Sequence, residues 1–242
     1  MMYPLRNLVI PCSLAGLIAY QSLTVLPIIL GALVDYRGFT LANVGYVGSV
    51  EILGMALAAA TSAAFINKVP RNRLAFVAAI ALGLTQISSA FTLAPTLFFA
   101  ERFIAGISAG CIAGVLAATI SLARVPERLT AFIYLIDALL ASVLYLVLPA
   151  IIARYQLAGA YALLGSVTVL ISPVFLLLPA RGPVTGTPSP ALRRDAGRVA
   201  IFAIILSAAA AAHWTFTERM ALQVGLDMTQ VGQMFAASLV IG

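Results

Sequence analysis

The chain is a succession of long apolar segments separated by short polar ones. Seven segments reach the roughly 20 residues that a helix needs to cross a bilayer; they are residues 8–34, 43–66, 74–95, 97–123, 129–153, 157–179 and 199–217. An eighth begins near residue 229 and would extend only about 21 Å by residue 242, so we expect a piece of a longer chain. The pattern predicts an all-α membrane protein, a multi-pass helical bundle.

Composition supports a membrane protein. Hydrophobic residues make up 62% of the 242 residues and charged residues 9%, against about 25% charged in a soluble domain. The net charge is +6, but no basic run carries interleaved aromatic residues, so we expect no nucleic-acid partner. Cys12, Cys111 and the single histidine, His213, lack the spacing of metal ligands, so no metal and no cofactor is predicted.

The basic residues predict the orientation of the bundle. If the N-terminus is cytoplasmic, the inside segments hold Arg6, Lys68, Arg71, Arg73, Arg124, Arg128, Arg181, Arg193, Arg194 and Arg198, and the outside loops hold Arg37, Arg154 and Arg219. This excess follows the positive-inside rule. We therefore expect a multi-pass protein of the cell membrane, a bacterial inner membrane, with its N-terminus in the cytoplasm.

A Gly-, Pro- and Ser-rich stretch divides the chain. It predicts a six-helix N-terminal bundle over residues 1–179, a cytoplasmic central loop over 180–198 and the start of a second bundle over 199–242. Residues 38–45, GFTLANVG, and 225–232, GLDMTQVG, share one pattern of glycine, apolar and polar positions. Because each copy precedes an even-numbered helix, the repeat indicates duplicated halves.

The fourth segment carries a charge and a row of glycines. Gly106, Gly110 and Gly114 are four residues apart, which places them on one helix face where another backbone can pack closely. Arg102 precedes them, and its guanidinium stays charged in a protein. It either extends to the membrane surface or neutralises a substrate or a carboxylate.

Two acidic residues interrupt apolar segments. Glu51 would lie about 12 Å deep in the second segment, on the face of Gly54. It either exchanges protons or makes a structural hydrogen bond or an ion pair with Arg102, and both interpretations stay open. Asp137 lies similarly deep in the fifth segment, where it exchanges protons or balances the cytoplasmic charges around Arg71.

The loop between the second and third segments resembles a known signature. Residues 63–73, AAFINKVPRNR, are similar to the Gly-x-x-x-Asp-[Arg/Lys]-x-Gly-[Arg/Lys]-[Arg/Lys] loop of the major facilitator superfamily. Lys68 and Arg71 match the pattern, and Arg73 adds a further charge, whereas Asn67 replaces the aspartate. Arg102-x-x-x-Gly106-x-x-x-Gly110 resembles the fourth-helix motif of the same superfamily.

The resemblance implies a secondary active transporter, not an enzyme, which moves a small solute by alternating access and is monomeric when full length. Membrane lipid surrounds such a protein, and proton coupling through Glu51 and Asp137 is a hypothesis. In the superfamily the first, fourth and seventh helices line the central cavity. The implied substrate contacts are Tyr20, Gln21, Thr24, Arg102, His213 and Trp214.

Two other classes remain as alternatives. Residues 106–110 match G-x-S-x-G, so an intramembrane serine hydrolase would use Ser108 as nucleophile and His213 as base. A non-transporting seven-helix receptor-like protein is the other alternative. We expect Glu218, Arg219 and Asp227 to be solvated loop charges.

Overall fold

The computed structural model describes residues 3–66, 68–182, 214 and 216–241, and these residues are almost entirely helical. The helices are α1 (Leu5–Thr24), α2 (Leu26–Arg37), α3 (Leu41–Phe65), α4 (Arg71–Phe91), α5 (Pro95–Ile120), α6 (Pro126–Ile171), a 3₁₀ helix (Ser172–Leu177) and α7 (Met228–Ile241). Residues 216–223 are also helical. The predicted seventh segment, 199–217, lies almost wholly outside the described residues, as does most of the central loop.

Five spans in the described part of the chain are long and apolar enough to cross a membrane: Leu5–Thr24, Leu41–Ser62, Arg71–Phe91, Pro95–Ile120 and Pro126–Leu177. The last contains two predicted segments, because α6 is interrupted at Gln156, whose φ of 56° and ψ of −158° are not helical. Residues from both sides of this break line one cavity, so the two arms lie side by side. The prediction of an all-α, multi-pass membrane bundle is confirmed.

The first predicted segment is not one continuous helix, contrary to expectation. It is interrupted at Val25, between α1 and α2. Pro27 has no backbone N–H, so the carbonyl of Leu23 loses its usual helical donor. That carbonyl instead accepts a hydrogen bond from Trp214 Nε1 at 3.2 Å. The break therefore ties α1 to a residue that follows the central loop.

The three glycines of α5 lie against α3. A methyl group on Gly106 or Gly110 would overlap a backbone carbonyl of α3, and one on Gly114 would overlap Ser62. From the other side, a methyl group on Gly54 of α3 would lie 2.5 Å from a carbonyl of α5. The two backbones are therefore in direct contact along most of their length, which small residues permit.

The two copies of the repeat have the same local structure. Gly38 and Gly225 both adopt positive φ, 65° and 92°, a conformation that glycine reaches without steric cost. Two residues later, Thr40 Oγ1 accepts a backbone hydrogen bond at the start of α3. Asp227 Oδ1 does the same for α7 at 2.8 Å and exchanges a second bond with Gln230, which makes it an N-cap.

We predict that Gly106→Ala destabilises the protein by about 1–3 kcal/mol, because the new methyl group overlaps the backbone of α3. The matched control is Gly45→Ala, since a methyl group there has no neighbour within 4 Å. It should be neutral or slightly stabilising, as alanine favours helix over glycine. Unfolding in detergent measures both variants, and equal responses would contradict the close α3–α5 contact.

Candidate functional site

A group of charged, amide and hydroxyl side chains lies where α2, α3, α4 and α5 meet, and all of them are buried except Ser88, which is exposed, and Arg37, which is half-buried. We call it the buried charge cluster; its members are Arg37, Glu51, Gln86, Ser88, Ser89, Thr92, Glu101 and Arg102. Apart from Arg37 at the end of α2, each member lies inside a helix that the sequence predicts to cross the membrane.

Arg102 is the centre of this cluster. Its side chain is 1% exposed. Nη1 donates to Gln86 Oε1 at 2.8 Å and Nη2 to Ser89 Oγ at 2.7 Å. The guanidinium carbon lies 5.5 Å from the ring centre of Phe98 and 4.6 Å from that of Tyr161, within the range of cation–π attraction. Arg102 therefore does not extend to the membrane surface.

Glu51 forms the ion pair with Arg102 that the sequence left as one of two interpretations. Its Oε2 lies 3.7 Å from Arg102 Nη1, and the side chain is buried. Oε1 has no hydrogen-bond partner among the described residues. The pair therefore supplies charge neutralisation and leaves one carboxylate oxygen available to a further donor.

Glu101 belongs to the site although the sequence analysis did not identify it. Its carboxylate accepts three hydroxyl hydrogen bonds, from Ser88 at 2.5 Å and from Ser89 and Thr92 at 2.8 Å. A buried carboxylate needs such donors to remain charged. The spacing of the three hydroxyls near the end of the third segment was the available signal, since it places them within one turn.

Arg37 closes the cluster from the end of α2. Its guanidinium donates to the backbone carbonyls of Ser89, Ala90 and Thr92 at 2.5–3.1 Å. These carbonyls end α4 and have no intrahelical partner, so a cation there is favourable. With Arg37 and Arg102 facing two glutamates, the charges of the cluster balance.

A narrow cavity adjoins the cluster. Its volume is about 10 Å³, and its wall includes Ser22, Glu51, Arg102 and Tyr161. A space of this size holds about one water molecule. The charged groups therefore face the interior of the bundle, and in this conformation the space beside them is closed to an organic solute.

The residues predicted on the first and seventh helices occupy different environments. Tyr20 is 43% exposed. Gln21 is buried and donates to Thr168 Oγ1 at 2.8 Å, beside an apolar cavity of about 190 Å³. The carbonyl of Thr24 accepts the hydroxyl of Tyr145. His213 lies outside the described residues.

Trp214 lies in an aromatic group at the interruption of the first helix. Its ring centre is 6.3 Å from that of Tyr145 and 5.0 Å from that of Phe235. These rings come from α6 and α7, and Trp214 also bonds the α1 carbonyl of Leu23. The aromatic group thus joins α1 and α6 to α7.

Asp137 lies against α1. A methyl group on Gly16 would be 2.6 Å from its Oδ2, and Oδ1 has no hydrogen-bond partner among the described residues. Arg71, which Asp137 was expected to balance, donates instead to the carbonyl of Ala118 at the end of α5. The structure thus gives the two residues different neighbours.

The signature loop is described in part. Lys68 and Arg73 are exposed, whereas Arg71 is buried, and its backbone N–H donates to the carbonyl of Ala180 at 2.9 Å. Asn67 lies outside the described residues. The basic end of α4 is thereby joined to the start of the central loop.

Among the described residues, no group beside Ser108 could activate its hydroxyl as a nucleophile. It lies in the middle of α5, is 6% exposed and donates its hydroxyl to the carbonyl of Ile104 at 2.9 Å. A nucleophile elbow requires a sharp turn from strand to helix, whereas residues 95–120 are one continuous helix.

The chain matches no known protein family in a comparison with family models, and a search of curated proteins finds no match. The described structure therefore defines a class only: a multi-pass, all-α membrane protein with a buried, charge-balanced cluster in its bundle.

We predict that Arg102→Lys destabilises the protein by about 1–3 kcal/mol, because one ammonium cannot reproduce the fork that bonds Gln86 and Ser89. Arg128→Lys is the control, since Arg128 is exposed and should change stability by less than about 0.5 kcal/mol. Thermal unfolding in detergent compares the two. If both variants behave alike, the fork does not hold the cluster together.

Proposed function

We propose that this protein is a secondary active transporter that moves a small solute across the membrane by alternating access, of the major facilitator type that its motifs resemble. The buried charge cluster carries the proposal. Charged side chains inside a membrane bundle are costly and usually mark a solute or ion pathway. Here they border a cavity that is closed in the described conformation.

The contacts made by the residues after the central loop support the same proposal. Trp214 bonds the carbonyl of Leu23, Arg219 bonds Asp35 at 3.0 Å, and Ser142 bonds a carbonyl of α7 at 3.2 Å. Single hydrogen bonds of this kind are weak, and the same contact also contains the buried side chains of Val231 and Phe235. A reversible contact between two bundles is what alternating access requires.

Orientation and coupling complete the proposal. The distribution of basic residues favours a cytoplasmic N-terminus, and in that orientation Arg37 and Asp35 would lie at the outer end of the bundle. Glu51 and Asp137 each have a buried carboxylate oxygen without a hydrogen-bond partner among the described residues. Both are therefore candidates to carry a coupled proton.

Alternating access predicts that the wall of the closed cavity becomes reachable from both sides of the membrane in turn. Ser22→Cys places a thiol in that wall, in the complete natural protein with Cys12 and Cys111 replaced by alanine. We expect a membrane-impermeant maleimide to label it from either side. Ser108→Cys, at a buried position in the middle of α5, is the control and should stay unlabelled.

Labelling of Ser22→Cys from neither side, or from one side only, would contradict alternating access and favour the receptor-like class. A panel of radiolabelled solutes tested in proteoliposomes then identifies what is carried. Ser108→Ala should leave that uptake unchanged, because its hydroxyl bonds only its own helix in the described structure.

Proton coupling predicts that an imposed pH gradient changes solute uptake into proteoliposomes. Glu51→Gln should reduce this response by about tenfold or more, because the amide cannot release a proton. Glu127→Gln, which alters an exposed carboxylate at the start of α6, should respond as wild type does. Uptake that ignores the gradient in both wild type and Glu51→Gln would exclude coupling through this residue.

A further inference from the structure

Glu218 is a buried carboxylate that accepts no hydrogen bond from the described part of the chain. It lies on the helical residues 216–223, where we expected a solvated loop charge, and is 1% exposed. Neither carboxylate oxygen has a hydrogen-bond partner among the described residues. This differs from Glu101, which accepts three hydrogen bonds. A buried carboxylate without donors is unfavourable while charged.

The position of Glu218 is built into α2. A methyl group on Gly31 would lie 2.5 Å from both carboxylate oxygens, so the carboxylate occupies space that only glycine leaves free. The adjoining cavity of about 10 Å³ is lined mainly by apolar side chains, including Leu30, Val34 and Val44. The carboxylate therefore faces apolar walls and room for about one water molecule.

The charges around Glu218 do not balance. Arg219 Nε lies 3.3 Å from Glu218 Oε2, but the same guanidinium bonds Asp35 Oδ1 at 3.0 Å and the carbonyl of Gly31. Asp35 is the charged residue that α2 adds here, and α3 adds the apolar Leu41 and Val44. One arginine thus serves two carboxylates, and a single proton removes the excess negative charge.

We propose that Glu218 is a proton-binding site whose occupancy controls the contact between residues 216–223 and α2. Of the two carboxylates, Asp35 is 45% exposed and Glu218 is buried, so the proton binds to Glu218 while the contact is closed. Separation from α2 returns the carboxylate to water, where it releases the proton. Because the closed state binds one more proton, low pH favours closure and high pH favours opening.

The chain contains its own reporter of this contact. Trp214 is its only tryptophan, and it is half-buried one helical turn before Glu218, against the rings of Tyr145 and Phe235. Separation of the helices would expose the indole to water and shift its fluorescence to longer wavelength. The emission therefore measures the fraction of closed protein without any substrate.

The experiment titrates Trp214 emission from pH 5 to pH 9 in the complete natural protein reconstituted in lipid nanodiscs, with any tryptophan outside these 242 residues replaced by phenylalanine. We expect one transition to longer wavelength as the pH rises. Glu218→Gln, which mimics the protonated group, should keep the short-wavelength emission throughout. Gly31→Ala should give the long-wavelength emission throughout, because its methyl group displaces the carboxylate.

Two controls separate Glu218 from other acid groups. Asp35→Asn should retain the transition but move its midpoint to lower pH, because a neighbouring negative charge favours proton binding. Glu127→Gln, at an exposed carboxylate on α6, should leave it unchanged. Since His213 precedes the reporter and histidine titrates in this range, the series is repeated in a His213→Gln background, where the transition should persist.

A wild-type protein without a transition, or a Glu218→Gln protein with the wild-type transition, would overturn the proposal. The proton site rests on the proposed function only in that opening of the contact between residues 216–223 and α2 would serve transport. The proton site and the transport function can therefore fail separately. A Glu218-dependent transition without two-sided labelling of Ser22→Cys would retain the proton site and exclude the transporter. Two-sided labelling of Ser22→Cys without the transition would retain the transporter and exclude the proton site.

Discussion

The permanent charge of Arg102 is the constraint on which the described bundle depends. A guanidinium buried at 1% exposure requires acceptors and a counter-charge, and neither α5 nor lipid offers them. α4 supplies Gln86 and Ser89, and α3 supplies Glu51. Glu51 reaches Arg102 only because α3 and α5 touch backbone to backbone at Gly106. The glycine row and the charge of Arg102 therefore belong to one arrangement. Without the close helix contact at the glycines, Arg102 would have no counter-ion.

The interrupted first helix differs from the α3–α5 contact, because its free carbonyls accept side-chain hydrogen bonds that can break. Pro27 frees the carbonyl of Leu23, and the end of α1 frees that of Thr24; side chains of Trp214 and Tyr145 bind them. Each such bond contributes about 0.5–1.5 kcal/mol. A motion at the α1–α2 junction would break these two side-chain bonds.

The sequence predicted the helices well where apolar length alone decides them, as in α3, α4 and α5. It failed at Val25, where Pro27 was the available signal, and it missed Glu101 beside Arg102. A linear pattern does not tell which of two adjacent charges meets which neighbour. The expectation that Glu218 is a solvated loop charge was wrong because its burial depends on Gly31, a residue far away in the chain. Contacts across such separations are set by packing, and no local pattern records them.

The two charged groups differ in a way that suits them to different tasks. The buried charge cluster contains as many cations as anions and satisfies most of them with hydrogen bonds. The pair of Glu218 and Asp35 shares one arginine and holds one carboxylate without donors among the described residues. An excess carboxylate that shares its counter-ion favours binding of a proton. The unpaired charge lies next to the contact that can open, which is where proton binding would have the largest effect on conformation.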